Sequence, residues 1–427
     1  MKRVILFVLA ALILVSIALV GYQLLYDPGS DQVGAPVKSS ADQIARGAYL
    51  ARVGDCVACH TMRGGKPFSG GRAIATPYGK IYSPNITPDA ETGIGAWNAD
   101  DFWRALHNGK SRNGEFLYPA FPFTDYTKVT RTDSDALFAY FKSLEAVHQS
   151  NRQQELRFPY NQRPLLAAWR SLYFRPGSYS EEKNQSTEWN RGAYLVQGLG
   201  HCNACHTGRA AFGSSDTNSD MAGGMIPILN WYAPSLTSST EAGLGNWDQH
   251  AIADLLKKGI SGKSAVFGPM AEVVANSAQY LTDEDANAMA AYLKSLPQND
   301  AQPDGEDRLS FHDVTAVMIP GAQIYAKRCA ACHQSKGQGI ASIYPPLAGN
   351  RALTMQSAAN PIRMVLNGGY PPSTEGNPRP YGMPPFGHEL NAEEVASVVT
   401  YIRNAWGNHA EAVSPTDVSR FIGTPLE

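Results

Sequence analysis

The sequence predicts a mainly α-helical protein: three tandem domains in series behind a single N-terminal transmembrane helix. Three observations carry that expectation. Arg46 to Thr61 reads RGAYLARVGDCVACHT, and Arg191 to Thr207 repeats it as RGAYLVQGLGHCNACHT. A looser copy, GAQIYAKRCAACHQ, runs from Gly321 to Gln334. An apolar run from Val4 to Val20 follows Lys2 and Arg3 at the start of the chain. Self-similarity of this kind marks repeated folded units.

The 427 residues are 43% hydrophobic and 17% charged, which fits packed domains rather than disorder. A formal net charge of −2 leaves no basic field for nucleic acid, so no nucleic-acid partner is expected. Gly 39 and Pro 28 point to long irregular loops between short helices.

All six cysteines lie in CxxCH motifs: Cys56 and Cys59, Cys202 and Cys205, Cys329 and Cys332. None is left for a structural disulfide. A thioredoxin-like CxxC would sit in a βαβ pattern and needs no histidine at the next position. Structural zinc takes four ligands, and each motif offers three. Covalent haem accounts for the whole motif. Two thiols add to the two vinyl groups, and the adjacent histidine reaches the iron from the proximal side. Three c-type haems are therefore expected, with His60, His206 and His333 as proximal ligands.

Residues 1–26 read as a membrane anchor or a signal segment. The apolar stretch approaches the ~20 residues that span a bilayer and exceeds the ~7–15 of a signal-peptide core. A retained anchor is favoured, with a cleaved signal peptide as the alternative. Residues 27–40 are a polar linker and 41–150 the first domain. In that domain Asn98 or Asp100 caps a helix that Gly109 ends, and Thr132 caps the closing helix with Leu137, Tyr140, Phe141 and Leu144 on one face. Residues 151–187 form a linker whose Trp169, Leu172, Tyr173 and Phe174 predict a short helix packed between domains or on a partner. The second domain, 188–298, repeats the first in order: WYAPSLT answers IYSPNIT, and LTDEDANAMAAYLKSL answers TDSDALFAYFKSL. A linker, 299–313, leads to the third domain, 314–408, and a polar tail, 409–427. Gly47, Gly192 and Gly321 on each first helix, with Tyr140, Tyr292 and Tyr401 on each last, predict a close helix crossing in every domain.

An iron that only passes electrons wants both axial positions filled, often by His and Met, and thioether sulfur raises its potential. Met383 in YGMPPF and Met270 in FGPMAEV hold that place in the third and second domains. Met289, Met318 and Met364 lie on helix-like stretches and read as packing. The first domain has Phe121 in LYPAFPF where the pattern asks for sulfur. Three arrangements stay open there. His107 could complete a bis-His site. Met62, two residues after His60, would have to reach the opposite haem face. The iron could also be five-coordinate. His107 is the favoured candidate, and a surface histidine near a helix end is the other reading of it. Bis-His ligation would set this potential below the others.

From about Ser40 to Gly407 the chain resembles the three-haem cytochrome c subunits of bacterial membrane-bound dehydrogenases. The resemblance rests on RGAYL…CxxCHT twice, TPDAETGIGAW, LYPAFP, NWYAPSLT, GPMAEV and YGMPPF. It implies class I cytochrome c-like domains and a separate catalytic subunit of molybdenum, flavin or quinoprotein type. Electrons would pass from that subunit through this chain to ubiquinone or a terminal oxidase. The alcohol and gluconate branches have Met at the position of Phe121, so Phe121 leans the partner toward an aldehyde-type molybdenum subunit. The expected location is the bacterial inner membrane, single-pass, with the haem domains in the periplasm. No catalytic residue is expected on this chain. The competing readings are a peroxidase-like enzyme with an open first haem and a free periplasmic carrier.

Overall fold

The computed structural model describes residues 39–216, 220–237, 243–245, 247–297 and 311–424, with 14, 18 and 21–23. Most of the apolar run Val4 to Val20 and residues 298–310 lie outside the described residues. Among the described residues no helix is long and apolar enough to cross a membrane. The chain divides into two compact units: Met1–Glu182 with Tyr194–Ala204 and Ala210–Ser215, and Lys183–Ala193 with Cys205–Arg209 and Asp216–Glu427.

In the first unit α1 (Ala41–Val53) starts at Ser40, whose hydroxyl accepts from the Gln43 amide at 3.1 Å. α2 (Cys56–His60) carries the first motif. β1 (Ala73–Thr76) and β2 (Gly79–Tyr82) form an antiparallel hairpin, and β3 (Glu155–Leu156) joins the free edge of β2. α3 (Ala99–Asn108) opens with a capping box between Asn98 and Asp101 and ends at Gly109. α4 (Phe123–Tyr126) and α5 (Arg131–Ser143) follow. The cap of α5 is Thr130, not Thr132. Thr130 accepts from the Asp133 amide at 3.3 Å, whereas Thr132 lies inside the first turn.

α6 (Leu166–Tyr173) confirms a helix in the 151–187 stretch. One face is buried through Ala167, Arg170 and the following Phe174, while Leu172 is 67% exposed. The Arg170 guanidinium lies over the rings of Phe116, Phe123 and Phe174 and donates to the Asn108 carbonyl. A desolvated guanidinium among aromatic faces is stabilised by cation–π attraction.

The boundary between the units runs through α7 (Thr187–Gln197) and α8 (Asn203–His206). The second unit continues with β4 (Gly224–Ile226), β5 (Trp231–Ala233), α9 (Gln249–Lys258), α10 (Pro269–Asn276) and α11 (Asp283–Ser295). α12 (Phe311–Arg328) begins within the stretch read as a linker, and α13 (Ala330–His333) carries the third motif. α14 (Arg351–Thr354), α15 (Ala359–Asn367), α16 (Ala392–Asn404) and α17 (Pro415–Ser419) close the chain. Tyr325, Leu353, Ile362, Val395, Val398 and Ile402 are central to their core.

The three expected crossings are present. A Cβ added at Gly47 would stand 1.9 Å from the Ala136 carbonyl oxygen, and one at Gly192 1.9 Å from that of Ala288. One at Gly321 would stand 2.3 Å from the Ser397 carbonyl oxygen and 2.7 Å from Cβ of Tyr401. Only a residue without a side chain lets the helix backbones come this near.

Candidate haem-attachment sites

Each motif is a short helix that presents its histidine to a proline carbonyl. Nδ1 of His60 lies 2.8 Å from the Pro84 oxygen, Nδ1 of His206 2.8 Å from Pro234, and Nδ1 of His333 3.1 Å from Pro345. A carbonyl only accepts, so Nδ1 carries the proton and Nε2 keeps its lone pair. Such an outer partner fixes the tautomer and raises the basicity of a ligating imidazole. Burial pushes all three histidines below the usual imidazole value, against the opposing pull of the proline carbonyl. A neutral ring with Nε2 free is the form that ligates iron.

The same peptide is gripped a second time. The carbonyls of His60, His206 and His333 accept from the amides of Gly70, Gly223 and Gly339 at 2.7, 2.8 and 3.0 Å. These glycines have φ of 78, 83 and 63°. A Cβ on them would stand 2.4, 2.9 and 2.8 Å from the carbonyl carbons of Pro84, Pro234 and Pro345. The sequence reading missed this glycine–proline pair. Its signal was the proline shared by IYSPNIT, WYAPSLT and YPPLAGN.

None of the six cysteines is in a disulfide. Burial pushes the free Cys56 thiol up to about 12 and that of Cys329 to about 11. Each motif brings two thiols and one imidazole, one ligand short of the four that structural zinc takes. Two thiols and an adjacent neutral histidine are the set that a covalently held haem uses.

At the candidate sixth-ligand residues the three sites differ. Met383 pairs by backbone with Gly369, at 2.8 and 2.9 Å, and packs on the same core cluster as Cys329. Met270 is the second residue of α10. The preceding Gly268 lies so near Trp231 that a Cβ would stand 2.8 Å from its indole. β5 thus meets Gly268, two residues before Met270, through Trp231 and leads into Pro234, the partner of His206. In the first site the Phe121 ring packs against Tyr126 at 5.2 Å. Tyr126 is buried and donates to the Gly54 carbonyl at 3.2 Å. Its hydroxyl is pushed up by burial and then by the nearby Cys56 and Cys59. His107 has other neighbours. Its ring stacks on Trp103 at 4.4 Å and 15°, and Nδ1 lies 3.5 Å from the Thr127 hydroxyl. Met62 is 40% exposed beside Gly65 and Gly71.

Two buried carboxylates also escaped the sequence reading. Asp133 binds Arg46 at 2.6 Å, and Asp285 binds Arg191 through two bonds of 2.8 Å. The arginine of each RGAYL thus locks its helix to the one that closes the crossing. Both aspartates lie three residues after a capping threonine, Thr130 and Thr282.

The cytochrome c family profile matches residues 190–297 and 319–406. The chain is 39% identical over 398 residues to the cytochrome c subunit of a quinone alcohol dehydrogenase from Gluconacetobacter polyoxogenes, covering 89% of this chain and 84% of that one. It is 39% identical to the gluconate 2-dehydrogenase cytochrome c subunit of Pantoea cypripedii, covering 88% of each. It is 38% identical to one of the subunits of a nicotinate dehydrogenase from Pseudomonas putida, over 86% of this chain and 30% of that one. Near-complete alignment at this identity, joined to the paired CxxCH geometry, shows that the chain belongs to the family of cytochrome c subunits of alcohol and gluconate dehydrogenases.

Proposed function

We propose that this chain carries three covalent haems and passes electrons from a dehydrogenase catalytic subunit to ubiquinone or a terminal oxidase. The observation that carries the reading is the threefold pairing of a CxxCH histidine with a proline carbonyl. Bound c-type haem supplies a one-electron iron couple. Cys56, Cys59, Cys202, Cys205, Cys329 and Cys332 hold it, and His60, His206 and His333 present Nε2 to it. Met270 and Met383 offer thioether sulfur to the second and third sites, which raises their potentials. Phe121 leans the partner toward an aldehyde-type molybdenum subunit, with an alcohol or gluconate type as the alternative that the 39% identical relatives support. An inner-membrane anchor with the body in the periplasm is part of the proposal. Arg170 Nε donates to Gln23, just after the apolar run, at 3.3 Å, and the exposed Leu165, Leu172 and Phe212 share that unit.

Haem content per chain and reduction by the co-purified dehydrogenase with its substrate test this. Three haems are expected, with loss of one for each CxxCH pair changed to alanine. Fewer than three in the intact chain, or no reduction by substrate, overturns it. A second reading follows from Phe121: with no sulfur there, the first iron is open and binds small molecules. Carbon monoxide binding at one haem supports it, and inertness of all three removes it.

A further inference from the structure

Within the first compact unit the first attachment segment meets the stretch Tyr194–Ala204, which carries Cys202. Leu199, three residues before Cys202, is buried. Its Cδ2 would stand 3.3 Å from a Cβ on Gly54, and Sγ of Cys56 would stand 3.4 Å from the same Cβ. On the other side of the contact, a Cβ on Gly200 would stand 3.5 Å from Sγ of Cys202. The Tyr126 ring, whose hydroxyl bonds the Gly54 carbonyl, meets the His201 ring edge-on at 5.6 Å. His201 immediately precedes Cys202, sits at φ 37°, and has Nδ1 2.8 Å from the Leu199 carbonyl.

The contact is fixed from behind. The Tyr194 hydroxyl donates to Asp133 at 2.7 Å and accepts from the Thr130 amide at 3.2 Å. Asp133 also binds Arg46 of α1. One buried carboxylate therefore ties the helix leading to Cys56 to the helix leading to Cys202. Charge-assisted bonds to such a carboxylate are strong and geometrically exacting.

We infer that Gly54, Leu199, Tyr126 and His201 form a junction that fixes the spacing of the Cys56 and Cys202 attachment points and so supports electron exchange between the haems those cysteines would hold. The inference rests on the proposal that both motifs hold haem. Thioether bonds would anchor each porphyrin edge to sulfurs that flank this contact, so the junction sets the gap. Electron exchange falls steeply with that gap, and holding donor and acceptor in place is the protein's part. One electron crosses per event. With haem bound, one iron would go from ferrous to ferric as the other went from ferric to ferrous, and no atom or proton would move. The residues here are positioning residues.

The test compares the full holoprotein with Gly54→Leu, which wedges the segments apart, and Tyr126→Leu, which removes the ring pair. Gly54→Ala, nearly accommodated, is the control. Mass spectrometry of the haem peptides reports attachment. Pulsed EPR reports magnetic coupling between the two ferric irons, and photoreduction reports their equilibration rate. The expected result is weaker coupling and several-fold slower equilibration in both leucine variants, with haem attachment and the third haem's potential unchanged. Wild-type coupling and rate in both variants overturn the junction. Should Gly54→Leu fail to take up haem, Tyr126→Leu decides alone. Absence of haem on either pair in the wild-type chain instead defeats the proposed function, so the two failures are distinct.

Discussion

His107 stacks on Trp103 and meets the Thr127 hydroxyl through Nδ1, which leaves Nε2 as the atom an iron would take. Tyr126 lies nearer Cys56 and Cys59. His107→Ala should cost about 1 kcal/mol, the scale of an aromatic pair. Loss of a low-spin band in that variant makes His107 the sixth ligand of the first haem, and unchanged iron spectra remove it from that role. Burial holds His107 below the ordinary value of 6.5, with Lys128 adding to the fall and the Thr127 contact opposing it. The folded chain thus prefers the neutral ring, and the unfolded chain binds the proton first as pH drops. This contribution to stability is full above 6.5 and is lost as pH falls through 6.5 to the lower folded value. Melting temperatures taken from about pH 7.5 down to about pH 5 should therefore fall less steeply in His107→Gln than in the wild type.

Helix crossings set the limits at the scale of the element. In an open helix Gly→Ala gains about 1 kcal/mol from propensity. At Gly192 the added carbon would meet the Ala288 carbonyl at 1.9 Å, and a backbone oxygen cannot swing aside. Overpacking costs ~1–3 kcal/mol even where side chains can shift. Gly192→Ala should therefore lower stability by about 3 kcal/mol, read as a drop in melting temperature. Gly177→Ala, with nothing within 4 Å, should be neutral. These crossings were legible because the glycine recurs at the same place in RGAYL and GAQIY. The cap of α5 was not, because RTDSD offers a second threonine two residues on. The choice falls to Thr130 because the residue three positions later must be Asp133, which binds Arg46 just as Asp285 binds Arg191. Tyr126 was beyond the sequence, since its partners Gly54 and His201 are distant along the chain and the second repeat has no matching tyrosine.

On the scale of the whole molecule, the second unit joins the segments around His206 and His333 into one body. Asn360 of α15 brackets Tyr232 of β5, accepting from its amide at 2.9 Å and donating to its carbonyl at 2.8 Å. Beside it the buried Arg363 guanidinium lies 4.6 Å over the Trp231 ring. β5 also bears on Gly268, two residues before Met270, and leads into Pro234 beside His206. Asn360→Ala would remove both hydrogen bonds to the Tyr232 backbone, at about 0.5–1.5 kcal/mol for each. Two consequences are expected. Calorimetry should resolve separate transitions for the two segments where the wild type shows one for the unit. With haem bound at His206 and at His333, the midpoint potential of the former should shift, because β5 contacts Gly268, two residues before Met270, and leads into Pro234 beside His206, while that of the latter should hold. A single unsplit transition with both potentials unmoved would show that Asn360 does not couple the two segments.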